Sequence, residues 1–232
     1  MRKASAIRAV AVLVALAIAG AGVPSVAKQT LVPPYYYLTP GAVDLTMLLA
    51  PPPDLDSPLE QYDQKKIADM LAERTDADVA RAAADAHRSV FAFSDVLGSA
   101  FSAGRVPLTA ELFAHVGADA AVFIEQAKEH FARPRPPGVT QSHGSYPSGH
   151  AAFASCTAIL LGEMVPEKRS AIFARAAIFA ESRIVAGVHY PTDIEAGWIS
   201  GTVIAAAFMR ESRFVKDFEA ARAEVRRVLH LT

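Results

Sequence analysis

Residues 147–209 read PSGHAAFASCTAILLGEMVPEKRSAIFARAAIFAESRIVAGVHYPTDIEAGWISGTVIAAAFM. Pro166, Gly187 and Pro191 cut this stretch into segments of helical length. The first runs from about Gly149 to Met164, the second from Pro166 to about Ala186, and the third from Pro191 through Ile194, Trp198 and Ile204 to about Met209. Proline suits a first helical position, where its missing N–H would have no intrahelical partner. Pro166 and Pro191 therefore read as starts, and Ser148 as the N-cap of a helix whose first amides belong to Gly149, His150 and Ala151. None of these segments alternates apolar and polar residues with a period of two, the mark of a half-buried strand.

The same periodicity extends in both directions. Residues 109–132 place Leu112, Val116, Ala120, Phe123 and Ala127 on one stripe, with Thr109 as the expected cap. Asp76 to about Ala103 is Ala-rich, with Val79, Ala83, Ala86, Val90, Phe93 and Leu97 spaced by three or four, and reads as helical throughout. Ser57-Pro58-Leu59-Glu60 reads as a cap, a proline at the first helical position and an acid at the third. The last segment, Phe214 to Leu229, is charged and amphipathic. The expected fold is an all-α helical bundle over residues 58–232. The segment 194–209 is apolar enough to raise a membrane question, but it is short for a span and contains Glu195, so a buried core helix is expected.

Residues 28–57 form a proline-rich arm with Pro33-Pro34, Tyr35-Tyr36-Tyr37 and Pro51-Pro52-Pro53. Repeated proline disfavours a long helix there. Its tyrosines, with Leu45, Met47, Leu48 and Leu49, are expected to pack on the domain. Residues 1–27 read as a Sec-type signal peptide: Arg2, Lys3 and Arg8, an apolar run from Ala9 to Val23, then Ser25-Val26-Ala27 for the peptidase. The mature chain is then expected in the periplasm or secreted, with no stable membrane span after signal removal. The whole chain carries 23 Lys+Arg and 24 Asp+Glu. The leader removes three bases and no acid, which leaves a formal charge of −4 and argues against a nucleic-acid partner. A single cysteine, Cys156, sits in an apolar helical segment and reads as a buried structural thiol.

Three blocks carry chemistry. Lys128 and Arg135, with Arg133 as the competing choice, offer a point charge and a planar fork of donors for phosphate oxygens. Pro147-Ser148-Gly149-His150 sets a glycine and an unpaired helix N-terminus where an anion can approach. Arg183 ends an apolar helix, and His189 lies four residues before Asp193, close enough for the carboxylate to bond one ring nitrogen and leave the other as nucleophile or base. Each block alone has a plainer reading: a solvated basic patch, an ordinary helix cap, a satisfied core histidine. In this order they describe a site that holds a phosphate and attacks it.

Taken together, the blocks resemble the type-2 phosphatidic acid phosphatase (PAP2) superfamily, which also contains vanadium haloperoxidases. Lys128, Arg135-Pro136, Pro147 to His150, Ser182-Arg183, His189 and Asp193 match every element of its motif, whose spacing selects Arg135 over Arg133. Ala127-Lys128-Glu129-His130, the Gly144 to His150 string and the Pro51-Pro52-Pro53 arm are similar to the bacterial class A non-specific acid phosphatases. The resemblance implies a phosphomonoesterase of the helical PAP2 type, with His189 as nucleophile forming a phosphohistidine. Asp193 would orient it and His150 would serve as general acid and base. Lys128, Arg135, Ser148, Gly149 and Arg183 would bind phosphate. Small phosphomonoesters are the implied substrates, phosphate and vanadate the implied site ligands, and transfer of the phosphoryl group to other alcohols an implied side activity. No metal or other cofactor is required, since no compact His/Cys/Asp cluster has zinc spacing. The family tendency implies a homo-oligomer, with the apolar arm at 31–50 available for an interface.

Two features set the chain apart. Ten residues separate Pro136 from Pro147, a short loop for the family at the mouth of the site. Gly187-Val188-His189-Tyr190-Pro191 is closer to the wider lipid-phosphatase superfamily. The rival readings are a PAP2-type lipid phosphatase, a vanadate-dependent haloperoxidase (for which this chain is small) and a non-catalytic phosphate-binding protein.

Overall fold

Among the described residues, four of the α-helices start where a short side chain takes up orphan amides. The computed structural model describes residues 35–141 and 143–231. The leader assigned to 1–27 and the beginning of the arm lie outside the described residues. Asp44 caps α1 (Leu45–Leu48). Ser57 caps α2 (Pro58–Glu73) by accepting from the Glu60 amide. Thr75 and Asp78 close a capping box on α3 (Asp76–Ala84). A 3-10 turn over Val90–Phe93 leads into α4 (Ser94–Leu97). The long α5 (Pro107–Phe131) follows, then an irregular stretch, then α6 (Gly149–Met164). A 3-10 turn over Pro166–Lys168 precedes α7 (Arg169–Val185), and α8 (Pro191–Phe208) and α9 (Ser212–Val228) complete the order. No strand occurs among the described residues, so the all-α expectation holds.

Three local expectations are corrected. Residues 76–103 do not form one helix. After Ala84 the buried Asp85 turns to meet Arg175 of α7 at 2.5 and 3.1 Å, and Arg175 also takes the Ala92 carbonyl. A tertiary ion pair thus overrides the helix propensity of an alanine-rich run. Thr109 is not the cap of α5 but lies inside its first turn. The cap comes from α9, where Glu224 accepts from the Leu108 amide at 3.1 Å and the Thr109 amide at 3.0 Å. Pro166 opens a 3-10 turn, and the α-helix itself starts at Arg169.

One buried carboxylate gathers three successive amides of the arm. Asp119, on α5, accepts from the amides of Tyr36, Tyr37 and Leu38 at 2.5 to 2.8 Å. Tyr37, Leu38, Leu45 and Leu49 are buried in the main core, while Met47 and Leu48 face water because a single helical turn has only one inward side. Among the described helices α5 is long and apolar enough to cross a bilayer, by length and composition alone. Here it packs against α9 and α1, and it carries the buried polar groups Asp119 and Lys128.

The frame of the molecule is α6, buried nearly all round, which packs most extensively against α8 and then α7. Glycine makes the α8 contact possible. A Cβ on Gly197 would stand 2.4 Å from the Ser148 carbonyl, and one on Gly201 would stand 2.1 Å from that of Ala152. The starts of α6 and α8 and the end of α7 meet at one end of the bundle.

Candidate active site

Asp193 lies in the first turn of α8, where its carboxylate closes that helix start. Oδ2 accepts from the Tyr190 amide at 2.9 Å and faces His189 Nδ1 at 3.1 Å. With Nδ1 donating to the carboxylate, Nε2 carries the lone pair. Arg135 Nη1 stands 3.2 Å from that Nε2 and donates also to the Val188 carbonyl at 2.9 Å. Burial pushes the His189 imidazole down to about 4, against the pull of Asp193, so the ring is neutral near pH 7. Burial alone would raise the Asp193 carboxyl, but His189 and Arg133 outweigh it and hold the group below the usual range.

Arg133, the competing choice in the sequence, occupies a different place. It is buried beneath the site and grips three carboxylates: Glu60 at 2.5 Å, Asp63 at 2.7 Å and Asp193 at 2.7 Å. Thr192 Oγ1 accepts from it at 2.8 Å, and the Tyr190 ring lies 4.2 Å from its guanidinium carbon. This cage runs from α2 to α8 and fixes the carboxylate that fixes His189. Sequence reasoning missed it because Glu60 read as part of the helix cap and nothing local marks Asp63, six residues into α2, as a partner for Arg133.

Lys128, Arg135, Gly149, His150, Arg183 and His189 all line one cavity of about 200 Å³ at the end of the bundle. Lys128 Nζ donates to the Gly144 carbonyl at 2.7 Å and lies 3.3 Å from that of Ser145. Burial, then the nearby Arg135, pushes the Lys128 amine down to about 8. Arg183 Nη2 donates to the Ala82 carbonyl, and its Nε donates to Ser182 Oγ at 3.1 Å. His150 Nε2 faces the Ala86 carbonyl at 3.0 Å, and burial with the nearby Arg183 and Arg88 pushes its ring down to about 3. A doubly charged ligand would oppose both effects of those cations.

Ser148 and Asp193 stand behind the cavity wall. Ser148 is fully buried, its Oγ accepts from the Ala151 amide at 3.3 Å, and its own amide donates to the Asp193 carbonyl at 2.9 Å. It holds the α6 start, and with it the Gly149 amide, against α8. Arg88, Glu125 and His143 also line the cavity. Arg88 went unseen because it falls in the turn that the periodicity read as helix. The ensemble is a concave, cation-lined cavity with a neutral, oriented imidazole in its wall.

The chain is similar to a set of known phosphatases. The PAP2 superfamily model matches residues 108–215. An acid phosphatase of Zymomonas mobilis is 32% identical, covering 78% of this chain and 75% of that protein. A non-specific acid phosphatase of Providencia stuartii is 30% identical, covering 88% of this chain and 90% of that protein. One of Salmonella typhimurium is 28% identical, covering 79% and 81%. Among solved structures, a transmembrane PAP2 type phosphatidylglycerolphosphate phosphatase from Bacillus subtilis shares the fold with a TM-score of 0.51 at 19% identity, covering 72% of this chain and 90% of that one.

Proposed function

This chain belongs to the PAP2 superfamily and is a phosphatase, and from that premise we propose a metal-independent hydrolysis of phosphomonoesters through a phosphohistidine at His189. The observation that carries the reading is the His189 ring, with Nδ1 on Asp193 and Nε2 turned to Arg135 in a cavity lined by cations.

In the first step His189 Nε2 attacks phosphorus in line. The N–P bond forms as the ester P–O bond breaks, and the departing oxygen takes a proton from His150. Asp193 stabilises the imidazolium that results. In the second step His150 removes a proton from water, the water oxygen bonds to phosphorus, the N–P bond breaks, and inorganic phosphate leaves. An alcohol in place of water gives phosphotransfer. Lys128, Arg135, Arg183 and the Gly149 amide supply fixed positive charge where negative charge gathers on the phosphoryl oxygens. That set supports a reaction without a divalent ion. Ser148 serves by holding the Gly149 amide in place.

The test is a phosphomonoester panel on the mature protein with and without EDTA, beside His189→Ala. The expected result is EDTA-insensitive turnover inhibited by vanadate, and loss of at least about a thousandfold in the variant, as for removal of other nucleophiles, with its helical content unchanged. Turnover by His189→Ala at the native rate would overturn the assignment. Export to the periplasm or medium and assembly through the arm belong to the same proposal; cell fractionation and light scattering test them.

A further inference from the structure

Beside the phosphate cavity lies a second one, of about 210 Å³, between α5 and α6. The two share Arg88 and Gly149 in their linings, so the second cavity begins where the first ends. Its walls are apolar and cut back: Gly117 and Ala121 on α5 and Phe153 on α6 line it. A Cβ built on Gly117 meets nothing within 4 Å, so the space at that position is open. Thr157 lines the same cavity and is 1% exposed, yet its hydroxyl has no hydrogen-bond partner among the described residues. The face of an aromatic ring laid against that hydroxyl would accept from it weakly, whereas an alkyl chain would leave it unpaired.

We infer that this groove is the binding site for the organic part of the substrate, and that the preferred substrates are aryl phosphomonoesters, with one aromatic ring lying between α5 and α6. The inference rests on the phosphatase reading of the neighbouring cavity. A phosphoryl group held by Lys128, Arg135 and Arg183 has its ester oxygen beside His150, and the Gly149–Arg88 junction opens from there into the groove. A dry apolar cavity of roughly 150 Å³ is enough to take up benzene, so this volume suits a single ring. Arg88 lies at the junction, where its guanidinium can meet both a phosphoryl oxygen and the face of a ring. A sugar or glycerol moiety could pair one hydroxyl with Thr157 but would leave the others unpaired against Phe153 and the alanine wall, which disfavours it.

Gly117→Leu tests the groove because it fills open space from an α5 position that is not part of the phosphate site, and leucine favours the helix more than glycine does. For phenyl phosphate, kcat/KM should fall about tenfold in the variant, while ethyl phosphate should change by less than about twofold. Ala121→Leu should repeat the pattern and guards against a folding defect in one variant. Equal loss for both esters, or none for phenyl phosphate, overturns the groove. A second measurement stands apart from turnover: phenylphosphonate should bind the native protein at least about tenfold more tightly than methylphosphonate by calorimetry, and equal affinities overturn the inference. Native protein that turns over neither ester overturns the hydrolysis mechanism instead, and the phosphonate pair still decides the groove.

Discussion

A lysine amine held at about 8 by burial and by Arg135 is charged at neutral pH and loses its charge just above it. Of the three cations proposed to hold phosphate, Lys128 is then the one whose charge titrates within the working range of an enzyme, because Arg135 and Arg183 stay protonated throughout. Deprotonation removes attraction for the phosphoryl group, so kcat/KM should fall as pH rises through about 8. Lys128→Arg should remove that limb while keeping measurable activity. A pH–rate profile of both proteins with one ester checks this, and an identical alkaline limb in both would assign it elsewhere. Arg133 makes a different demand. Removing a buried charge that serves three carboxylates should cost roughly 3–5 kcal/mol, so Arg133→Leu is expected to unfold readily. Arg133→Lys keeps the charge but not the fork that spans Glu60, Asp63 and Asp193. Because it acts on His189 through Asp193, its expected effect is a fall in kcat of about ten- to a hundredfold, the scale seen when partners of functional histidines are lost. KM should stay within about twofold of native. A KM change with kcat intact would show instead that Arg133 touches substrate.

Among the helices, the contrast between α8 and the run after α3 shows where sequence speaks and where it does not. Pro191 and the Ser148 cap are local signals, since each satisfies or removes a backbone donor within its own turn, and α6 and α8 begin where those signals stand. The break after Ala84 is set by Arg175, ninety residues away in sequence from Asp85, and no local pattern announces that partner. The same division holds in the site. The histidines and the cations lining the cavity stand at helix ends or in proline-marked turns and were legible, whereas Arg88 and the Glu60–Asp63–Arg133 cage exist only through contacts between elements. Gly201 shows how element packing can reverse a local preference. Helix propensity alone predicts that Gly201→Ala stabilises by roughly 1 kcal/mol. The added Cβ would stand 2.1 Å from both the Ala152 carbonyl and Ser155 Oγ, so α8 must move off α6. Overpacking of that kind costs roughly 1–3 kcal/mol or more, and the net change should be destabilising. Because Gly197 touches the Ser148 carbonyl one turn nearer the site, the displacement should also lower kcat. Urea unfolding of Gly201→Ala decides between the two: a higher midpoint would mean that propensity wins and that the helices can separate without cost.

Across the molecule, the cations and buried histidines gathered at the cavity set how stability should respond to acid and to anions. His189 and His150 hold their rings at about 4 and about 3 in the folded protein, below the ordinary histidine value. The unfolded chain therefore takes up protons first as pH falls from about 6.5, and stability is lost over that interval until the folded rings titrate in turn. A dianion in the cavity opposes the effect of the cations at both rings. It favours the imidazolium of His150, so binding draws in a proton and strengthens as pH falls. Sulfate is a suitable probe because its own charge does not change over this range, unlike that of phosphate or vanadate. A ligand at a hundred times its dissociation constant adds roughly 2.7 kcal/mol, enough to move a melting temperature by several degrees. The expected result is a Tm that declines between pH 7 and pH 4 in chloride, a smaller decline in sulfate at matched ionic strength, and a sulfate-induced gain that is greater at pH 5 than at pH 8. His150→Ala should shrink the pH dependence of that gain. Parallel melting curves in the two salts would mean that the cavity does not couple anion binding to a histidine proton, and the general-acid role of His150 would then have to be given up.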